Sequence, residues 1–359
     1  MKIQRLEIEG FRSIRQQIWA PGDLNVVIGP NASGKTNLLR GLELLQAAAS
    51  GGLDRYVQSA GGMGPMVWDG TAERVRLRVV MSPPRDGDDI ERQSITYDLT
   101  LARLGRSGSY RIEYESLANY HRVENGEFPQ PFKFLERDPN HAVVFSPEEK
   151  RLEAIEEVPE QSTLLSLAAG PFSANRVVNE FQRELAGWRI HHGLHTHREA
   201  EIRATQVARR EMQVSADGQN LVTVLHSLYT GDRDFKNQVN DAMRAAFGDD
   251  FEELVFPPAA DQRIQLRIRW RSLRQEQSAA DLSDGTLRFL FLLAVLAIFT
   301  THSAELLDSF GDQPPTTTIV QRVDGATCLR VVAGDDLAYW LKDYSLGSLY
   351  RSLELEAMS

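Results

Sequence analysis

Cysteine and long apolar segments are scarce in this sequence, and basic residues are fewer than acidic ones, 40 against 50. The single cysteine, Cys328, excludes an internal disulfide framework and favours a reducing cytoplasm; its simplest role is that of a small buried hydrophobe. The longest apolar run, residues 289–299, is far shorter than the roughly 20 residues of a membrane span, and the N-terminus lacks the apolar core of a signal peptide. The net charge of −10 gives no global attraction to nucleic acid or membranes. We therefore expect a cytoplasmic protein without membrane contact.

A phosphate-binding loop is the clearest motif present. Residues 29–36, GPNASGKT, match it at every fixed position, after the apolar run LNVVIG and before a helical pattern. Its glycines let backbone N–H groups surround a phosphate, Lys35 is expected to reach the β- and γ-phosphates of ATP, and the Thr36 hydroxyl is expected to bind Mg²⁺. The candidate nucleotide contacts are Gly29, Asn31, Gly34, Lys35, Thr36 and Asn37. The alternative is a tight turn between a strand and a helix.

The remaining periodicity predicts an α/β nucleotide-binding lobe that a helical insertion divides. Residues 1–146 form the N-terminal lobe, in which a period of two from residue 74 onward predicts an antiparallel β subdomain. Residues 147–250 are polar and mainly helical, which predicts an insertion or arm. Residues 251–359 return to strands around a buried helix and complete the lobe as its C-terminal part.

Three stretches resemble a known family. The opening LEIEGFRSI with the Pro-Asn of the loop, the segment LSDGTLRFL and the segment TTHSAELL are similar to parts of RecF-, SMC- and OLD-like AAA family ATPases. Weaker similarities in the middle and at the end extend the resemblance over nearly the whole chain. It implies a P-loop ABC-type ATPase head, with ATP and Mg²⁺ as cofactors. It also implies that Arg12 lies near the nucleotide phosphates, although an exposed loop arginine would fit the pattern equally well.

The resemblance assigns roles to the two later segments. In the family, the signature Ser and Gly, here Ser283 and Gly285, contact the γ-phosphate of ATP held by the other subunit, which implies a homodimer around two ATP molecules. Serine suits a helix cap and glycine allows close approach of an anion, but a plain capped helix is the simpler interpretation. His302 matches a histidine that senses the γ-phosphate, and its ring nitrogens suit that role; a structural histidine is the alternative.

One element of the family pattern is missing. An apolar strand ending in two carboxylates, the Walker B strand, is expected between the signature helix and the histidine strand. Gly285 and His302 are only 17 residues apart, and residues 286–301 contain no Asp or Glu. The chain is therefore either an internally deleted form of an active ATPase or a degenerate member that binds ATP without turnover. We also expect the strands beside the phosphate loop to lack a neighbour.

An arginine-rich segment keeps nucleic acid among the possible partners. RIQLRIRWR alternates apolar and basic residues, and it could lie along a DNA backbone. We favour a solvated strand face in an acidic protein. The basic residues are Arg263, Arg267, Arg269 and Arg271.

A histidine cluster raises the question of zinc. The segment IHHGLHTH holds half of the eight histidines, but no cysteine accompanies them and their spacing fits no standard site. We favour an interaction arm. The residues are His191, His192, His195 and His197.

These patterns leave three hypotheses for function. The first is a dimerising RecF/SMC-like ATPase in DNA maintenance or anti-phage defence, roles that only the resemblance implies. The second is a non-hydrolysing, ATP-dependent binding module that controls an effector protein such as a nuclease. The third is a DNA-binding structural protein whose affinity falls steeply with salt.

Overall fold

A computed structural model of the chain describes residues 1–82, 94–105, 108–119, 132–170, 173–191, 193–295, 298–300 and 315–332. The strands are β1 (Lys2–Phe11), β2 (Ile14–Trp19), β3 (Asn25–Ile28), β4 (Arg74–Ser82), β5 (Ile95–Arg103), β6 (Tyr110–Asn119), β7 (Phe132–Asp138), β8 (His141–Ser146), β9 (Arg151–Ala154), β10 (Gln206–Val207), β11 (Phe251–Val255), β12 (Pro258–Ala259), β13 (Arg263–Ile264), β14 (Arg267–Trp270), β15 (Gln277–Ser278), β16 (Ile298–Thr300), β17 (Thr316–Val323) and β18 (Ala326–Val332). The helices are α1 (Lys35–Ala49), α2 (Leu53–Ser59), α3 (Leu164–Ala168), α4 (Arg176–Ala186), α5 (Leu221–Gly231), α6 (Arg233–Phe247) and α7 (Asp284–Val295).

The chain forms two compact units, the first made of Met1–Trp188 with Ile298–Ser359 and the second of Arg189–Ala297. This grouping differs from the three segments predicted from sequence. Residues 147–250 do hold the helices α3 to α6, but β9 at their start pairs with β8 and completes a sheet of the first unit. Strand pairing therefore draws the beginning of the predicted insertion into the first unit.

The predicted antiparallel subdomain is an eight-stranded sheet in the first unit, with the order β2-β1-β4-β5-β6-β7-β8-β9. In β4 the apolar residues are buried, whereas the arginines lie on the opposite face and contact carboxylates there. Arg76, for example, donates two hydrogen bonds to Asp98, of 3.0 and 2.5 Å. The alternation that predicted β4 is therefore that of a sheet with one apolar and one ion-paired face.

The strand that leads into the phosphate loop lies in a second sheet of the first unit, with the order β16-β3-β17-β18. All four residues of β3 are buried. Both β16 and β17 pair with β3 in parallel. β3 thus has a neighbour on each side, whereas β16 pairs only with β3 among the described residues. The expectation that a strand beside the loop lacks a neighbour stays a prediction, and it concerns the outer edge of β16.

Helix α1 packs against β1 of the large sheet. Leu38, Leu42 and Leu45, which recur at helical spacing, are buried, whereas Leu39 is half-buried. A Cβ atom at Gly41 would lie 3.0 Å from Ile8 Cδ1, so the absence of a side chain there brings the helix close to the sheet.

The second unit has a core of its own. Helices α5, α6 and α7 contribute buried side chains, and so do β11 and β14. Alternate residues of the arginine-rich segment, Ile264, Leu266 and Ile268, are buried as predicted. Only two residues separate the end of α7 from the start of β16, which leaves no room for a further strand between them.

No helix within the described part of the chain is long and apolar enough to span a membrane.

A buried carboxylate fixes the start of α3 to the large sheet. Glu115 of β6 is fully buried and accepts hydrogen bonds from Tyr97 Oη (2.9 Å), Leu164 N (2.6 Å) and Leu165 N (2.8 Å). Burial raises the pKa of Glu115, and the two backbone hydrogen bonds oppose that rise. The preceding segment is held by Arg137, which donates to Ser162 O (2.6 Å).

Replacing Glu115 with Gln should lower the free energy of unfolding by about 2–4 kcal/mol, because either orientation of the amide places an NH₂ group against a donor. Denaturant unfolding measures this change. Glu113→Gln is the control, since Glu113 forms only a surface ion pair with Arg74 and should change stability by less than about 1 kcal/mol. Equal effects of the two variants would contradict the assignment.

Candidate functional site

The predicted phosphate loop joins β3 to α1 as expected and has the backbone of an anion site. Gly29 and Gly34 have positive φ angles of 148° and 110°, and Ala32 between them has a φ of 64°. No side chain caps the N-terminus of α1, and its first turn holds no acidic residue. Among the described residues no side chain therefore competes with an anion for the start of the helix, where the positive end of the helix dipole lies.

Lys35 folds back over the loop. It is 8% exposed, and its Nζ donates hydrogen bonds to Gly29 O (2.8 Å) and Pro30 O (2.7 Å). Thr36, the next residue, is exposed, as is Asn31 at the tip of the loop. The ammonium group therefore lies within the loop, where phosphate oxygens could replace its carbonyl acceptors, and the Thr36 hydroxyl is free to approach a metal ion.

Two buried polar atoms beside the loop support a ligand there. Ser33 Oγ and Arg12 Nε have no hydrogen-bond partner among the described residues. Buried polar groups without a partner are rare in folded proteins, and they often mark a position that a ligand or water completes. The residues present therefore fit a phosphate-bearing nucleotide.

Arg12 lies next to α1, near the charged side chains of Arg40 and Glu43. Its backbone is left-handed, with a φ of 53°, and its N–H donates to Met66 O (2.8 Å). Burial lowers the pKa of Arg12, and the positive charge of Arg40 lowers it further. Arg40 is four residues after Thr36 and so shares its face of α1. Arg12 and Arg40 thus add positive potential near the expected position of the metal and the phosphates.

A directional chain of hydrogen bonds supports the loop from behind. Thr327 Oγ1 donates to Ser33 O (2.8 Å), so the 2.6 Å contact between the hydroxyls of Ser13 and Thr327 has Ser13 as the donor. Asn37 Nδ2 in turn donates to Ser13 Oγ (2.6 Å). The amide of Asn37, a predicted nucleotide contact, therefore has a partner within the protein, and its contact with nucleotide stays a prediction.

The signature segment lies in the second unit and begins α7, as predicted. Ser283 Oγ accepts a hydrogen bond from Thr286 N (3.1 Å). Leu282 and Leu287 on either side are buried, whereas Ser283 and Gly285 are exposed. A Cβ atom at Gly285 would meet only Ser283 Oγ, at 3.7 Å, an ordinary contact. Nothing among the described residues therefore requires glycine at this position.

The predicted histidines are only partly covered by the described residues. His302 and the end of the chain lie outside the described residues, as does His192. His191 packs edge-on against Phe291, with 5.0 Å between ring centroids. No group of three or more potential metal ligands occurs among the described residues.

Most arginines of the arginine-rich segment form hydrogen bonds within the protein. Arg269 donates to Glu253 and Glu276, so two carboxylates compensate its charge. Arg267 Nε donates to Gln265 Oε1 (3.1 Å), and Arg263 Nη1 donates to Thr205 O (2.7 Å). These contacts fit the solvated strand face that we favoured; a DNA contact through this segment stays a prediction.

Comparison with known proteins identifies the class. Residues 24–299, well over half of the chain, match the family described as "AAA domain, putative AbiEii toxin, Type IV TA system". The chain belongs to this family, and the comparisons support the RecF/SMC-like, ABC-type P-loop head that the sequence predicted.

Individual relatives agree with this assignment. The chain is 30% identical over 122 residues to the DNA replication and repair protein RecF of Bacillus velezensis, an alignment that covers 33% of this chain and 29% of that protein. The structure is similar to an SMC head bound to the C-terminal winged-helix domain of ScpA, with a TM-score of 0.53, 11% identity, and coverage of 94% of this chain and 100% of that chain. At this identity the second likeness concerns the fold alone.

Sequence reasoning missed three groups that shape the loop: the Ser13 hydroxyl, Ser33 Oγ and Thr327. Ser13 lies in the segment LEIEGFRSI and Ser33 in the loop motif, so both positions carry a local sequence signal. Thr327 is 294 residues from Ser33 in sequence, and no local pattern marks it.

Replacing Thr327 with Val should weaken ATP binding about threefold to tenfold, because Ser33 O loses its donor and the loop loses its support. Equilibrium binding of a fluorescent ATP analogue measures the change. Thr318→Val is the matched control: Thr318 is also buried on the same sheet and accepts a hydrogen bond from Trp19 Nε1 (3.0 Å), but it pairs with Val27 before the loop begins. A normal affinity in Thr327→Val, or an equal loss in both variants, would contradict the role of Thr327.

Proposed function

We propose that this chain binds ATP with Mg²⁺ in its phosphate loop and pairs head to head with a second copy when ATP is bound. One observation carries the proposal: the N-terminus of α1 is uncapped, free of carboxylates in its first turn, and framed by two glycines with positive φ. An anion is the ligand that such a helix end suits best.

The residues of the loop have separate tasks in this proposal. Lys35 exchanges its two carbonyl acceptors for phosphate oxygens, and Ser33 Oγ gains a partner. Arg12 adds positive charge beside the phosphates. The Thr36 hydroxyl holds Mg²⁺, which neutralises phosphate charge when bound.

The second copy would supply the signature. Ser283 and Gly285 stand exposed at the start of α7, and the described residues leave space beside Gly285. A glycine that the fold itself does not need is explained when an outside group approaches it closely. In the homodimer that group is the γ-phosphate of ATP bound to the partner, with His302 as its proposed sensor in the first copy.

The leading candidate function is ATP hydrolysis that drives a dimerisation cycle, in DNA maintenance or anti-phage defence. The membership of an AAA family and the similarity to a DNA replication and repair protein support it. The aligned region covers only 29% of that relative, so its role is carried over as a proposal.

The second candidate is a module that binds ATP without turnover and controls an effector protein such as a nuclease. It is favoured by the direct passage from α7 to β16 and by the absence of carboxylates in residues 286–301. The similar SMC head is bound to a ScpA domain, so a protein partner is compatible with this fold.

Replacing Lys35 with Ala should weaken ATP binding about 100-fold, because a charge-assisted contact with two phosphates is lost. Phosphate release measured beside binding separates the two candidates. Turnover in the wild type that disappears in Lys35→Ala supports hydrolysis, whereas tight binding without turnover supports the binding module. Lys2→Ala is the control, since Lys2 forms a surface ion pair with Asp23. Unchanged ATP binding in Lys35→Ala would refute the site.

Replacing Gly285 with Ala should separate folding from assembly. The methyl group has space within the chain, and alanine favours a helix by up to about 1 kcal/mol over glycine, so thermal stability should stay equal or rise. Binding of ATP to the monomer should not change, but ATP-dependent dimerisation should weaken at least about tenfold.

Light scattering with ATP or ADP measures this assembly. Gly231→Ala at the end of α5, where an added Cβ atom also meets nothing, is the control. Wild-type dimerisation in Gly285→Ala would show that the signature does not contact a partner's phosphate.

A further inference from the structure

A single arginine, with most of its side chain covered, holds the turn that begins the signature helix. Arg203 precedes the signature by about eighty residues, and its side chain is 9% exposed. Its backbone ends a one-turn 3-10 helix, Glu201–Arg203, whose central residue Ile202 is fully buried in the core of the second unit. Packing of Ile202 therefore fixes the backbone of Arg203 independently of the polar contacts of its side chain.

The guanidinium group binds the loop that leads into the signature. Nη1 donates to Ala279 O (3.1 Å), Ala280 O (3.1 Å) and Leu282 O (2.7 Å). Since Nη1 has two hydrogens for these three acceptors, at least one hydrogen is shared. Three carbonyls of four consecutive residues thus point at one side chain.

The remaining donors tie this loop to its surroundings. Nη2 donates to Asp284 Oδ1 (2.6 Å), and Nε donates to Thr196 O (2.9 Å). Asp284 is 58% exposed and is the first residue of α7. Arg203 therefore links the loop and the helix start, and its charge compensates a carboxylate that lies between Ser283 and Gly285.

The direction of one carbonyl has a consequence for the exposed side of the turn. In a planar trans peptide the C=O of one residue and the N–H of the next point in opposite directions. Because Leu282 O points toward Arg203, the N–H of Ser283 points away from it. That N–H has no acceptor among the described residues. It joins the open N–H groups at the positive end of α7.

We propose that Arg203 is a positioning residue for the signature: it holds Leu282 O inward so that the N–H of Ser283 faces outward to donate a hydrogen bond to a phosphate oxygen. The inference rests on the proposed ATP-dependent pairing. It names the residue that orients the signature, which is the part of the paired site that the second copy supplies. In this proposal Arg203 itself contacts no nucleotide.

The principal test is Arg203→Lys in the full chain. Lysine keeps the charge, but its compact ammonium group cannot reproduce the planar fork that serves the loop carbonyls and Asp284 together. ATP affinity of the monomer should stay within about twofold of the wild type, while ATP-dependent dimerisation should weaken about tenfold, which corresponds to about 1.4 kcal/mol. Hydrogen exchange of residues 279–287 should be faster without nucleotide.

Arg244→Lys is the matched control. Arg244 belongs to the same unit but forms a surface ion pair with Asp241, so this variant should dimerise and exchange like the wild type. A folded Arg203→Lys protein with normal dimerisation, or with unchanged exchange at residues 279–287, overturns the inference. A wild type that shows no ATP-dependent dimerisation overturns the proposed pairing, and the phosphate role of Ser283 with it.

A second pair of variants keeps the inference testable where Arg203→Lys fails to fold. Ser283→Ala and Ser283→Pro both remove the hydroxyl, but only proline removes the N–H. The inference expects dimerisation in folded Ser283→Pro to be about tenfold weaker than in Ser283→Ala. Equal dimerisation of the two would overturn it.

Discussion

The phosphate loop is in such close contact with β17 and β18 that neither of its glycines has room for a side chain. A Cβ atom at Gly29 would lie 2.0 Å from Val320 O, and one at Gly34 would lie 2.0 Å from Thr327 Oγ1. The two glycines therefore serve packing as well as phosphate binding. Because Thr327 and Ser33 are 294 residues apart, the loop acquires its supported shape only when the first unit has assembled. A local motif thus depends on a contact between opposite ends of the described chain.

The charges around the loop differ from those of the protein as a whole. The protein carries a net charge of −10, yet Lys35, Arg12 and Arg40 are gathered around the start of α1 together with the positive end of the helix. Elsewhere the arginines of β4 and Arg269 of β14 are compensated by carboxylates on neighbouring strands. These cations and the helix end supply positive charge beside the loop, which supports the proposed binding of an anionic nucleotide in spite of the overall charge.

The fold was predictable where the information is local. The glycine spacing of the loop, the apolar spacing of α1 and the alternation in β4 each reflect a short-range period, and the structure agrees with all three. What escaped prediction depends on partners distant in sequence. Neither Thr327 behind the loop nor Arg203 beside the signature belongs to a motif. The parallel pairing of β3 with β16 and β17 likewise joins segments that no local pattern connects.

Phosphate binding and water activation place different demands on this fold. Binding needs glycines, a lysine and a helix end, all of which follow β3 directly. Activation of water needs a carboxylate on a further strand. Within the described residues β16 pairs only with β3, so such a strand would lie on the outer side of β16. Its loss would leave both neighbours of β3 in place, and with them the support of the loop. ATP binding and ATP-dependent pairing can therefore persist in a chain that has lost turnover, which is why the two candidate functions share one site.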